Sequence, residues 1–275
     1  MIATKDYRHE LRVLDELLIT FLETLPQEDW NKKTVAGNWT IKDVAAHLLD
    51  GNLRILSSLR DQHAEEKVNI TSYQDLVAYL NRLNADWVHA MKRISPQVLL
   101  ELLRISGKEY CDYYDTLNLQ NFASFSVAWA GEEKSYNSFH IAREFTEKFH
   151  HQQQIRDAVG DQTLLKHSYY HDFLSILVLG MPHALRAVNV PEQTVLRLNI
   201  KGFQTFGIDF RYSGGSWHIL EQTGTAFAGS VTIPDTLAWK LFTKSIRPEG
   251  IVNNVVIEGD KNLAINLLNL IAVMA

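Results

Sequence analysis

Midway along the chain, the run Glu144-Phe145-Thr146-Glu147-Lys148-Phe149-His150-His151 sets a carboxylate and an imidazole four residues apart. On an α-helix that spacing places Glu147 and His151 on one face, on adjacent turns. A borderline cation such as zinc accepts both carboxylate oxygen and imidazole nitrogen, so the pair forms half of a divalent-metal site. A third ligand has to come from another element. His47 is the best candidate, because helical bundles commonly build metal sites from side chains on facing helices. Three protein ligands leave coordination positions open for water or substrate, the arrangement of catalytic rather than structural zinc.

The same residues also have a plainer reading. A Glu–His pair at this spacing on an exposed helix is worth only tenths of a kcal/mol. A single histidine on a helix face is more often a packed residue than a ligand. His150 competes with His151, but its next-turn neighbours Thr146 and Gln154 make poorer ligands than a carboxylate. That ranks His150 beside the site or on the surface. Ligating histidines need acceptors for their other ring nitrogens; Gln154, Asp43 and Asp157 are near in sequence, and none is singled out. Arg156 could steer an anionic substrate, although an arginine near a helix C-terminus is expected for dipole reasons alone.

These side chains need helices to hold them. Leu11, Leu14, Leu17, Leu18, Phe21 and Leu22 recur at three- and four-residue spacing, which predicts a helix from Tyr7 to about Leu25. Pro26 ends it. Thr40 as N-cap with Asp43 three residues on predicts a sharply started second helix, with His47 two turns in. A third helix is expected over 72–94. Ser95 followed by Pro96 starts a further short one. Residues 106–137, with Gly107, Gly131 and many tyrosines and asparagines, read as a loop with one or two short elements. A helix over 138–159 carries Glu147 and His151, giving four substantial helices before residue 160. Phe145 and Phe149 lie nearly opposite Glu147 and His151, so this helix needs packing partners on two sides, the second domain being one candidate.

Beyond residue 161 the pattern changes. An apolar helix over 169–188 precedes alternating runs at 194–200, 205–212 and 216–221, separated by glycine-containing turns that predict hairpin-linked antiparallel strands. A strand at 227–233, a helix at 234–243, a strand at 252–259 and a closing helix over 260–274 complete an α+β domain.

Composition sets outer limits. The 275 residues suffice for two domains, and 46% apolar with 21% charged residues is ordinary for packed globular chains. A net charge of −5 with no basic cluster excludes a phosphate-binding footprint. Cys111 is the only cysteine, so an internal disulfide is excluded and a reducing cytoplasm is expected. No export signal is read in the first residues. No apolar run approaches the roughly 20 residues that a bilayer requires.

The run Trp39-Thr40-Ile41-Lys42-Asp43-Val44-Ala45-Ala46-His47-Leu48, taken with Glu147-x-x-x-His151, resembles the DinB-like superfamily. It is most similar to the branch of the mycothiol-dependent maleylpyruvate isomerase family. The resemblance implies a four-helix bundle over 1–162 that holds one divalent metal through His47, Glu147 and His151. Zinc is the expected ion, with nickel or another divalent ion as alternatives. Residues 236–245 and 253–275 resemble the sterol-carrier-protein-like domain often fused behind this bundle, implying a small antiparallel-sheet α+β domain over 163–275. The implied function is a thiol-dependent transferase or isomerase acting on a small electrophilic substrate, with a low-molecular-weight thiol as partner. The alternatives are a metal-dependent hydrolase and a non-catalytic small-molecule or lipid-binding protein with a structural metal. A small-molecule substrate is expected, without nucleic acid or membrane; a homodimer is compatible. Where isomerase-like members carry a small residue and a substrate-holding arginine after the helix, this chain reads Lys244-Ser245, with Arg247 two residues later. Maleylpyruvate isomerisation itself therefore does not transfer.

Overall fold

The computed structural model describes residues 2, 4–63, 68–203, 205–221, 224 and 226–273. The chain divides into two compact units, one of residues 1–126, 134–161 and 274–275, the other of 127–133 and 162–273.

The first unit is a helical bundle of α1 (Arg8–Glu23), α2 (Ile41–Ile55), α3 (Tyr73–Met91), α4 (Pro96–Asp115) and α5 (Asn137–Asp157). The caps read from the sequence are present. Thr40 Oγ1 accepts from the Asp43 backbone N–H at 3.3 Å, and Asp43 returns the bond to the Thr40 N–H at 3.0 Å. Ser95 caps α4 as expected, and Ser72 caps α3 as well. An antiparallel bridge from Lys33 to Thr40 fixes the approach to α2, and one from Phe122 to Tyr136 fixes the approach to α5.

One expectation changes. Helix α4 runs for 20 residues instead of stopping before Gly107, because Leu103, Ser106, Gly107, Tyr110, Cys111 and Tyr114 keep helical spacing and are all buried. Gly107 is there for room: a Cβ at that position would collide with the Asp15 carboxylate of α1. Five helices of substantial length therefore precede residue 160 among the described residues. Helix α5 is sandwiched, as its two-sided pattern requires. Phe145 and Phe149 are fully buried, with Tyr7 stacked on Phe145 at 5.1 Å.

The second unit carries α6 (Thr163–Lys166), α7 (Tyr169–Leu177) and α8 (Met181–Ala184) ahead of its sheet. The strands are β1 (Val195–Lys201), β2 (Thr205–Ser213), β3 (Ser216–Leu220), β4 (Gly229–Pro234) and β5 (Val256–Gly259), in the order β3-β2-β1-β4-β5. The sheet is mixed rather than wholly antiparallel. β1 pairs antiparallel with β2 in the register Leu198↔Ile208, and parallel with β4 in the register Leu198↔Val231. A parallel pair needs a crossover between its strands, and here β2 and β3 intervene. Gly214 and Gly215, both at positive φ, close the β2–β3 hairpin as the two-residue primed turn requires. Helices α9 (Asp235–Phe242), α10 (Pro248–Ile251) and α11 (Lys261–Ala264) complete the unit.

The helix expected over 169–188 is broken at 178–180. A side chain at Gly180 would strike the Trp129 ring, and Pro182 cannot donate to a continuing ladder. The closing helix is shorter than expected, with α11 giving way to a 3-10 turn at Ile265–Asn269. Asn266 Nδ2 donates back to the carbonyls of Asn262 and Leu263, a local competition that weakens helices. Its expected end at Met274 lies outside the described residues.

Candidate metal centre

The capping box starts α2 abruptly and sets the rotation at which His47 faces α5. Trp39 packs on one side of the His47 ring, with centroids 5.2 Å apart, and His151 meets it edge-on at 4.6 Å. The Trp87 indole donates to the Ala46 carbonyl at 2.8 Å, which ties α3 to the turn carrying His47. His47 Nδ1 is buried without a hydrogen-bond partner.

On α5, Glu147 is partly exposed while His150 and His151 are buried. One ligand atom from each of these three can be chosen so that all lie within 4.8 Å of one another. His47 stands outside that trio, at ring contact with His151. The structure thus brings Glu147 and His151 together, with His151 Nε2 3.5 Å from a Glu147 carboxylate oxygen. It also draws in His150, whose ring lies 4.1 Å from that of His151.

His150 is buried rather than on the surface, and a single residue explains its place. The Gln154 carboxamide reaches back along α5 to both histidines. Its Oε1 accepts from His151 Nδ1 at 2.9 Å, and its Nε2 donates to His150 Nε2 at 2.8 Å. By residue type alone, Gln154 reads only as a poor ligand and an unassigned acceptor. The available signal was its spacing, four residues from His150 and three from His151, which puts one amide within reach of both.

Burial pushes the His47 imidazolium well below the ordinary histidine range, and repulsion between its charge and those that His151 and Arg54 can carry adds to the effect. Burial, then His151 and His47, does the same to His150. Both rings are therefore neutral at pH 7, the form that offers a lone pair to a metal. Two imidazoles and a carboxylate, with a buried His47 nitrogen awaiting a partner, fit a borderline divalent cation. One turn before Glu147, burial works against the Arg143 charge, but Glu144 and Glu147 hold its guanidinium protonated.

Other candidates have structural roles. Asp43 is used in the α2 cap. The Arg156 guanidinium lies 4.1 Å over the Phe21 ring and bonds Asp161 and the Leu17 carbonyl, so it closes the end of α5. Burial, reinforced by Asp15, pushes the Cys111 thiol up to about 12, which removes it as a nucleophile. In the second unit, Arg247 precedes the first turn of α10.

The family described as the mycothiol maleylpyruvate isomerase N-terminal domain matches residues 11–155. None of the curated proteins matches in sequence. Among solved structures, a mycothiol-dependent maleylpyruvate isomerase is 10% identical over 85% of this chain and 88% of its own, with a TM-score of 0.49. A point variant of such an isomerase aligns over the same shares at 0.48. A ubiquinone synthesis protein, UbiJ-SCP2, is 16% identical over 35% of this chain and 93% of its own, with a TM-score of 0.26.

Proposed function

Because the chain belongs to the family of the mycothiol maleylpyruvate isomerase N-terminal domain, we propose that His47, Glu147 and His151 hold one divalent metal, zinc first. In this reading they serve a thiol-dependent transfer or isomerisation of a small electrophilic substrate in the cytoplasm. The observation that carries the reading is the face of His151. Its Nε2 lies 3.5 Å from a Glu147 carboxylate oxygen, its Nδ1 meets the Gln154 amide oxygen, and the His47 ring stands edge-on against it.

A bound divalent metal lowers the pKa of a coordinated thiol or water, making a nucleophile near neutral pH. Glu147 offsets part of the cation's charge, and its partial exposure marks the side from which a small molecule reaches the centre. His47, packed against Trp39 and His151, is fixed in orientation. Arg143, one turn away and charged, favours an anionic group on whatever approaches. No described helix is long and apolar enough to cross a membrane.

Titrating the cobalt-loaded full-length protein with low-molecular-weight thiols, mycothiol among them, tests the reading. The expected result is a thiol-dependent change in the visible spectrum that His151→Ala abolishes. A spectrum unmoved by every thiol, together with metal-dependent cleavage of an activated ester, would select the hydrolase instead.

A further inference from the structure

The Gln154 carboxamide is buried and sits between two histidines that need opposite things from it. As placed, its oxygen faces His151 Nδ1, which must carry a proton, and in the neutral ring Nε2 is then a lone pair on the side of Glu147. Its nitrogen faces His150 Nε2, which must be a lone pair, so the His150 proton lies on Nδ1, an atom buried without a partner. An amide has nearly the same shape when turned half a revolution about its last bond. In the turned arrangement Gln154 Nε2 donates to His151 Nδ1, and its oxygen accepts from His150 Nε2–H. His151 then carries its proton on Nε2 and donates it to Glu147.

With both imidazoles neutral, the two arrangements hold the same number of protons and differ only in where the protons lie. The first arrangement offers His151 Nε2 as a metal ligand. The second satisfies His151 and Glu147 with each other and leaves no lone pair for a cation.

We propose that Gln154 is a positioning residue that selects the tautomer of His151. Its amide is turned one way when the metal is bound and the other way when it is absent, and His150 records the turn by changing tautomer in step. This rests on the metal reading given above, since without a cation the first arrangement has no advantage. It makes the histidine pair cooperative: His150 never needs to touch the metal, yet its ring nitrogen reports occupancy. Second contacts of this kind orient ligands and raise their basicity.

The experiment is ¹⁵N NMR of the full chain with labelled histidine, with and without one equivalent of zinc, beside a competition titration of zinc affinity. In the metal-free native protein, His151 and His150 should both carry the proton on Nε2. Zinc should move both protons to Nδ1. Gln154→Glu, which can only accept, should hold His151 in the Nδ1–H form before zinc is added and keep native or tighter affinity. Gln154→Met, close in size but unable to bond either ring, should keep the one-to-one stoichiometry while weakening zinc by about 10–100-fold. A native protein that takes up no zinc overturns the metal reading, and this inference with it. A native protein that binds zinc while His150 keeps its tautomer, or a Gln154→Met variant of native affinity, overturns the role of Gln154 alone.

Discussion

Helix α5 carries two polar stripes, one buried and one buried except at Glu147, and they are satisfied in opposite ways. Along one stripe, His140 bonds the Tyr114 hydroxyl at 3.2 Å, and Glu144 accepts from the Tyr110 hydroxyl and from Arg143. Lys148 bonds Asp15 and Asn52, each at 2.7 Å, and Gln152 donates to the Leu14 carbonyl at 3.1 Å. These partners come from α1, α2 and α4 except Arg143, so the stripe pins α5 to the bundle. Along the other stripe, the bonds that fix His150 and His151 come from Gln154 on their own helix, and Glu147 and the His47 ring stand beside His151. Buried polar groups matched from outside build a structure. Buried groups that match only one another leave a place for a ligand.

The largest expected effect breaks the first stripe. Lys148→Met strands the buried Asp15 carboxylate, and removing one partner of a buried ion pair costs about 3–5 kcal/mol. Urea unfolding should show that loss, while the protein that remains folded binds zinc as the native chain does. A loss under about 1 kcal/mol would mean that Asp15 reaches water and that the stripe does not pin the helix.

Acid separates the stripes next. Burial, with Arg143 adding to it, pushes His140 down to about 4 from an ordinary value near 6.5. Between those values the unfolded chain binds the proton and the folded chain does not. The contribution is complete above about pH 6.5 and is lost progressively as pH falls toward 4, by about 3 kcal/mol for this group. His47 and His150, also lowered, act in the same direction. For Glu144, burial pushes up, but Arg143, His140, Tyr110 and Lys148 together hold the carboxyl low, so its contribution fades only below the ordinary glutamate range. Unfolding curves of metal-free native protein and His140→Phe, taken from pH 7.5 to 4.5, check the sign: the variant should show the shallower decline. An unchanged slope would place the titration elsewhere.

The smallest effect concerns how α2 presents its histidine. Thr40→Ala removes one half of the capping box and should cost about 1 kcal/mol by thermal or urea unfolding. A cost near zero would show that the Lys33–Thr40 bridge alone fixes the start of α2.

These stripes were unequally legible in the sequence. Glu147 and His151 could be read because a four-residue spacing on a helix is local geometry, and Thr40 with Asp43 because a capping box is a local exchange of bonds. The His140–Glu144–Lys148 stripe was not legible. Its partners Tyr114, Tyr110, Asp15 and Asn52 are distant in sequence, and they come from three helices, α1, α2 and α4, whose mutual rotation no single segment encodes. Misreading 106–115 as loop had the same origin, because Gly107 signals a break locally and earns its place only against Asp15 of α1. In the second unit the alternation revealed the strands, but nothing local showed that β1 would also lie beside β4.

The central claim is that the stripe of Glu147, His151 and the facing His47 is built for a metal, and the zinc content of the purified full-length chain tests it most directly. Inductively coupled plasma mass spectrometry after exhaustive dialysis should find one zinc per native chain and one per Lys148→Met chain, and none in Glu147→Gln with His151→Ala. A native chain without zinc, or a double variant that retains it, would contradict the account.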